Sequence, residues 1–158
     1  MEEPLIGRRV YLERLRKYRH SDVIKVITGI RRSGKSSLMR LCVRDLLEQG
    51  TPRANIIHIN FSLMEYDRFR DYRACYALIR ERMPPGGRVY LFLDEVQMVE
   101  SWERAVNSLH TEGRSDIYLT GSNAWLLSSE LSTLLSGRYV EVPLLPLSFR
   151  EYLDFAPL

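Results

Sequence analysis

The sequence predicts an α/β fold in which a parallel sheet is covered by helices on both faces. Three observations predict it. Short apolar or β-branched runs alternate with helical patterns along the chain. The first run, Val23 to Thr28, leads through Gly29-Ile30-Arg31-Arg32-Ser33-Gly34-Lys35-Ser36 straight into a helical pattern. The third, Val89-Tyr90-Leu91-Phe92-Leu93, is apolar at every position, as inside a parallel sheet, and ends on Asp94-Glu95.

Length and composition agree with one domain over residues 1–158. The chain is 45% hydrophobic and 27% charged, enough to bury a single core. Its apolar runs are too short to cross a membrane. Met1-Glu2-Glu3-Pro4 lacks a basic-then-apolar leader, so a cytoplasmic protein with no membrane partner is expected. Cys42 and Cys75 stand far apart without a C-x-x-C pattern and read as buried small hydrophobes. The net charge of +3 conceals a basic first third and an acidic remainder. A basic face can meet nucleic acid or an acidic partner protein. Without interleaved aromatics or a base-reading motif, a solvated surface beside a phosphate-binding corner is the simpler reading.

The elements follow in order. Val10 to Tyr18 is helical, with Tyr11, Leu15 and Tyr18 on one side, and His20-Ser21-Asp22 break it. A strand over 23–28 precedes a helix from Gly34 to Gln49, which Gly50 and Thr51-Pro52 stop. Ile56 to Phe61 is the second strand, and His58 within it is expected to pack rather than bind metal. A helix from Phe69 to Met83 stops at Pro84-Pro85-Gly86-Gly87. After the third strand, Ser101 can cap a helix carrying Trp102, Val106 and Leu109, closed by Gly113. Ile117 to Thr120 is the fourth strand. A helix over about 126–135 follows, then a fifth strand over 139–144, placed near an edge by Pro143. Ser148-x-x-Glu151 is a capping box for a last helix.

The chemistry lies where these strands end. G-x-x-x-x-G-K-S is the P-loop pattern. Its glycines permit a tight turn whose N–H groups point at phosphate oxygens, and the helix that follows aims its positive end at the same place. Lys35 is expected to reach the β- and γ-phosphates, and the Ser36 hydroxyl to sit on magnesium. Asp94, at the end of a buried strand, is the expected second magnesium-side group. Glu95 beside it is expected to orient and polarise an attacking water. Nucleotide contacts are expected from Gly29, Ile30, Arg31, Arg32, Ser33, Gly34, Lys35, Ser36 and Ser37. The Thr120-Gly121-Ser122-Asn123 turn can add Ser122 and Asn123 near the γ-phosphate, or serve only as a turn. Arg138 can stabilise transition-state charge, in cis or from a neighbouring subunit, or merely pair with Glu141.

The stretches ITGIRRSGKSSLM, LFLDEVQ with SWE after it, LTGSN and SGRYVEVPLLPLSFREYL resemble the ATPase domain of a family of prokaryotic AAA+-type ATPases. In that family a C-terminal domain of unknown function follows this domain. The resemblance spans about 10–153 and implies a P-loop NTPase three-layer α/β/α sandwich. It implies a five-stranded parallel sheet in the AAA+ order 5-1-4-3-2, with ATP and Mg2+ as cofactors. It further implies Lys35 and Ser36 in Walker A, Asp94 and Glu95 in Walker B, and a sensor-like polar group within Thr120 to Asn123. Arg138 falls on the family's Gly-Arg dipeptide. Family members are longer, so the helical lid and C-terminal domain expected for the family lie outside these 158 residues.

The expected activity is thus Mg-dependent ATP binding and hydrolysis, with ADP as product and a homo-oligomer as a possible assembly. The alternative is a nucleotide-dependent switch or interaction module with little hydrolysis. A GTPase is disfavoured because no N-K-x-D motif follows the fourth strand. A small-molecule kinase is disfavoured because no Arg-rich lid does.

Overall fold

The computed structural model describes residues 8–29, 34–121 and 130–145. Five parallel strands form one sheet: β1 (Ile24–Thr28), β2 (Ile56–Asn60), β3 (Val89–Asp94), β4 (Ser115–Thr120) and β5 (Tyr139–Pro143). Their order is β2-β3-β4-β1-β5, the expected 5-1-4-3-2 read from the other edge. β1 lies between β4 and β5, with Lys25 opposite Tyr118 and Ile24 opposite Tyr139. β5 is an edge strand and Pro143 ends it, where a missing N–H costs least.

Side chains alternate across the sheet and so build two cores. Ile24, Val26, Leu91, Leu93, Ile117 and Leu119 face α3 (Tyr72–Arg82) and α4 (Trp102–Thr111). Ile27, Tyr90, Phe92 and Tyr118 face α1 (Arg9–Lys17) and α2 (Lys35–Glu48). Helices on both faces of one sheet make the three-layer sandwich. A fifth helix, α5 (Glu130–Leu134), adds Leu131 and, just past its end, Leu135 to the first core.

Helix boundaries follow local chemistry. α2 buries Leu38, Met39, Cys42 and Leu46, and stops before Gly50, whose φ of +93° suits glycine. α3 starts later than the apolar pattern suggests. Asp71 accepts hydrogen bonds from the Arg73 and Ala74 amides, both at 3.2 Å, and caps the helix there. Phe69 falls in the 3-10 segment Met64–Phe69 before it. At α4 the expected Ser101 cap is absent: Ser101 is left-handed at φ +57° and its side chain makes no capping bond. β4 begins at Ser115, ahead of the expected Ile117. Cys42 and Cys75 are buried free thiols, each pushed up to about 12 by burial. His58 sits edge-on to Phe92 at 6.2 Å between centroids, and burial lowers its pKa. The capping box at Ser148 and the first part of the helix expected over 126–135 lie outside the described residues.

Beneath α1 and α2 the sheet carries charge. Lys25 and Asp116 are fully buried and paired, and Asp116 also accepts from the His20 amide at 3.1 Å and the Tyr118 hydroxyl at 3.2 Å. Nearby, Arg16 Nε (3.0 Å) and Arg19 Nη2 (2.9 Å) donate to Asp45 and fasten α1 to α2. The Arg16 hydrogen bond is the largest influence holding the Asp45 carboxyl below its usual range.

Candidate functional site

The C-terminal ends of β1, β3 and β4 come together, as parallel neighbours must. β1 gives way at Gly29, and α2 opens at Gly34. Gly34 takes φ +93°, a conformation glycine adopts without strain, and its carbonyl accepts the Leu38 amide at 2.9 Å. Lys35, only 5% exposed, donates from Nζ to the Gly29 carbonyl at 3.0 Å. Burial lowers its pKa, while Glu95 and then Asp94 pull the other way. The two carboxylates therefore help keep the ammonium charged. Ser36 and Ser37 are half-buried in the first turn of α2, and Ser37 Oγ accepts from Arg40 at 3.1 Å. Ile30, Arg31, Arg32 and Ser33 lie outside the described residues.

Asp94 ends β3 and is 1% exposed. The fully buried Thr120, at the end of β4, donates its hydroxyl proton to Asp94 Oδ1. Thr120 Oγ1 in turn accepts the Glu95 amide at 3.0 Å. One hydroxyl thus fixes both members of the acidic pair. The Asp94 carbonyl accepts the Phe61 amide at 3.0 Å, which ties the pair to the end of β2 as well. Glu95 adopts φ +55°, ψ +48°, a left-handed conformation that costs a side-chain-bearing residue about 1 kcal/mol or more. Strain of this kind is kept where surrounding bonds over-determine it. Gln97 Nε2 holds Glu95 Oε2 from the same turn. Ser122 and Asn123 lie outside the described residues; the buried Gly121 marks where their segment begins.

The donor set suits a hard cation. Ser36 offers a hydroxyl and Asp94 a buried carboxylate, the oxygen ligands magnesium takes. Among the described residues no cluster of three His, Cys, Asp or Glu could hold a metal on its own. Magnesium commonly takes one or two protein groups together with phosphate and water, so two donors fit that habit.

Arg138 is placed elsewhere. Its carbonyl accepts the Ile24 amide at 2.9 Å, at the N-terminal end of β1. Thr28 lies four strand residues further on, about 13 Å away. An arginine at one end of the sheet cannot serve a phosphate at the other, so the action in cis entertained from sequence is removed. The pairing with Glu141 is not formed either. Arg138 Nε is buried with no hydrogen-bond partner, and Glu141 Oε1 accepts from Thr28 Oγ1 at 3.2 Å.

The structure also brings in Arg8, which no sequence motif flags. It is 4% exposed, donates from Nη2 to the Leu145 carbonyl at 2.7 Å, and stands 4.7 Å over the Tyr11 ring. A methyl group placed on Gly34 would come within 3.3 Å of its Nη1. The signal is purely tertiary.

Solved structures share this architecture. AMPPCP-bound DnaA from Aquifex aeolicus superposes with a TM-score of 0.56 at 15% identity, covering 98% of this chain and 50% of that one. Drosophila ORC bound to DNA does so with a TM-score of 0.55 at 12% identity, covering 90% and 97%. At such identities the likeness is one of fold. In sequence, an uncharacterized protein of Haemophilus influenzae is 46% identical over 154 residues, which is 97% of this chain and 38% of that protein. An uncharacterized protein of Methanocaldococcus jannaschii is 34% identical over 134 residues, 84% of this chain and 28% of that one. The chain therefore spans about a third of the curated relatives it matches. Among the described residues no helix is long and apolar enough to cross a membrane. The model of the AAA domain family matches residues 21–153, and the chain belongs to that family, a membership that points to nucleotide binding.

Proposed function

We propose that this domain binds ATP with magnesium and hydrolyses it. The observation that carries the reading is the meeting of Lys35 with Asp94 and Glu95, the acidic pair locked by Thr120, at one end of the sheet. In this reading the turn from Gly29 through Ile30, Arg31, Arg32, Ser33 and Gly34 cradles the phosphates with its amides. The start of α2, with Ser36 and Ser37, adds its dipole. Lys35 binds the β- and γ-phosphates. Ser36 and Asp94 hold magnesium, which when bound screens phosphate charge and polarises the γ-phosphoryl group. Glu95 orients a water and takes its proton. Ser122 and Asn123 complete the polar wall around the γ-phosphate.

Arg138 acts on a neighbouring subunit in this proposal. Its position at the far end of the sheet from its own phosphate turn supports that role. Turnover per subunit should then rise with protein concentration, and Arg138→Ala should remove the rise while ATP binding persists. A turnover independent of concentration and untouched by Arg138→Ala would dismiss it.

The reading itself is tested by titrating ATP and magnesium into the wild type and Lys35→Ala while phosphate release is followed. Binding and turnover in the wild type, both lost in the variant, are expected. Binding without turnover would favour the switch, and no binding to the folded wild type would defeat the proposal.

A further inference from the structure

We infer that Arg8 is a phosphate-sensing residue that links occupancy of the P-loop to the point where the chain leaves β5. The inference rests on the P-loop reading above and adds a residue from outside the motif.

Arg8 immediately precedes α1, yet its guanidinium lies against Gly34, the residue from which α2 starts. That is the positive end of a 14-residue helix. Burying a guanidinium is costly unless its position is fixed by good partners. Here the Leu145 carbonyl at 2.7 Å and the Tyr11 ring at 4.7 Å fix it. The result is a preorganised cation beside the place where the P-loop reading puts a polyphosphate. A guanidinium is a rigid fork of five N–H donors, so it can hold a carbonyl and an anion together. Lys35, one residue past Gly34, carries its three donors on a point charge and lacks that planar fork.

The second half of the inference concerns Leu145. Its carbonyl accepts from Arg8, and its amide donates to the Tyr11 hydroxyl at 3.3 Å. One residue earlier, the Leu144 amide donates to the Thr28 carbonyl at 2.7 Å, at the end of the P-loop strand. The exit from β5 is thus stitched both to the strand that carries the P-loop and to the helix that carries Arg8. A phosphate drawing on the Arg8 guanidinium stiffens that stitch. The segment beyond Leu145 then receives the state of the site through backbone hydrogen bonds. No spacing rule relates residues 8, 34 and 145; the link is tertiary.

The experiment uses the whole chain. ATP affinity is measured for the wild type, Arg8→Ala and Arg8→Lys, and amide exchange at Leu145 is followed with and without ATP. The expected result is a loss of affinity of roughly tenfold to a hundredfold in Arg8→Ala, the range of a charge-assisted hydrogen bond. ATP should slow Leu145 exchange in the wild type and not in Arg8→Lys, whose ammonium keeps the charge without the fork. Equal affinity in wild type and Arg8→Ala would overturn the inference and leave the P-loop reading standing. An unchanged Leu145 amide in ATP-bound wild type would overturn the link, and this arm needs no variant to fold. Failure of folded wild type to bind ATP would overturn the inference together with the reading beneath it.

Discussion

If the proposed ATPase reading holds, Glu95→Gln is expected to lower ATP turnover by roughly two to four orders of magnitude, the span of a positioned general base, and to leave ATP binding in place. Glutamine keeps the shape and the hydrogen bond with Gln97 Nε2 but cannot take a proton. The backbone offers a companion test. Glu95 stands at φ +55°, ψ +48°, where glycine rests without strain. Glu95→Gly should therefore abolish turnover while raising stability by about 0.5–1 kcal/mol. Loss of activity with a gain in stability separates a functional role from a structural one. Phosphate release and urea midpoints on the same samples read both. Wild-type turnover in Glu95→Gln would remove Glu95 from the mechanism, and a destabilised Glu95→Gly would show that its side chain supports the turn.

The largest stability effect is expected at the buried ion pair. Lys25→Ala leaves Asp116 charged and without its cation in a site with no exposure, a loss of about 3–5 kcal/mol. Total stability for a domain of this kind is about 5–15 kcal/mol, so the variant approaches the limit of folding. Removing both charges tells a different story. Lys25→Met with Asp116→Asn keeps an acceptor for the His20 amide and the Tyr118 hydroxyl and should recover most of the loss. Urea denaturation of both variants provides the comparison. If the double variant were as unstable as Lys25→Ala, attraction between the charges, not the isolation of one, would dominate.

The motif-bearing parts of this molecule were legible because their signals are local. The P-loop spacing and the acidic pair after an apolar run can be read within a dozen residues. The order of the strands is not local, and it came from the family resemblance rather than from periodicity. Charge inside the sheet was illegible for a physical reason. Lys25 and Asp116 look like surface residues until each is seen to neutralise the other, and Asp116 hid the start of β4. Ser101 misled in the opposite way. Its residue type favours a helix cap, but its left-handed backbone turns the hydroxyl away from that task. Arg138 illustrates the limit of spacing: a Gly-Arg dipeptide carries no information about which end of a sheet it occupies. Thr120 stood among three polar candidates, and the geometry gives its hydroxyl the task of locking Asp94 and Glu95, while Ser122 and Asn123 lie outside the described residues.

The placement of β1 between β4 and β5 also bears on how the molecule comes into being. The strand that carries the phosphate turn is made before the other four, yet both of its neighbours follow much later in the sequence. Loop closure over such separations is entropically slow, so helices and the β2–β3 pair have every kinetic advantage over it. Until Tyr139 to Pro143 arrives, Ile24, Val26 and Ile27 form an apolar ribbon with unsatisfied edges, the kind of surface that chaperones bind and that aggregates when they do not. In the proposed reading, the phosphate turn is therefore held in place only after β4 and β5 have been made.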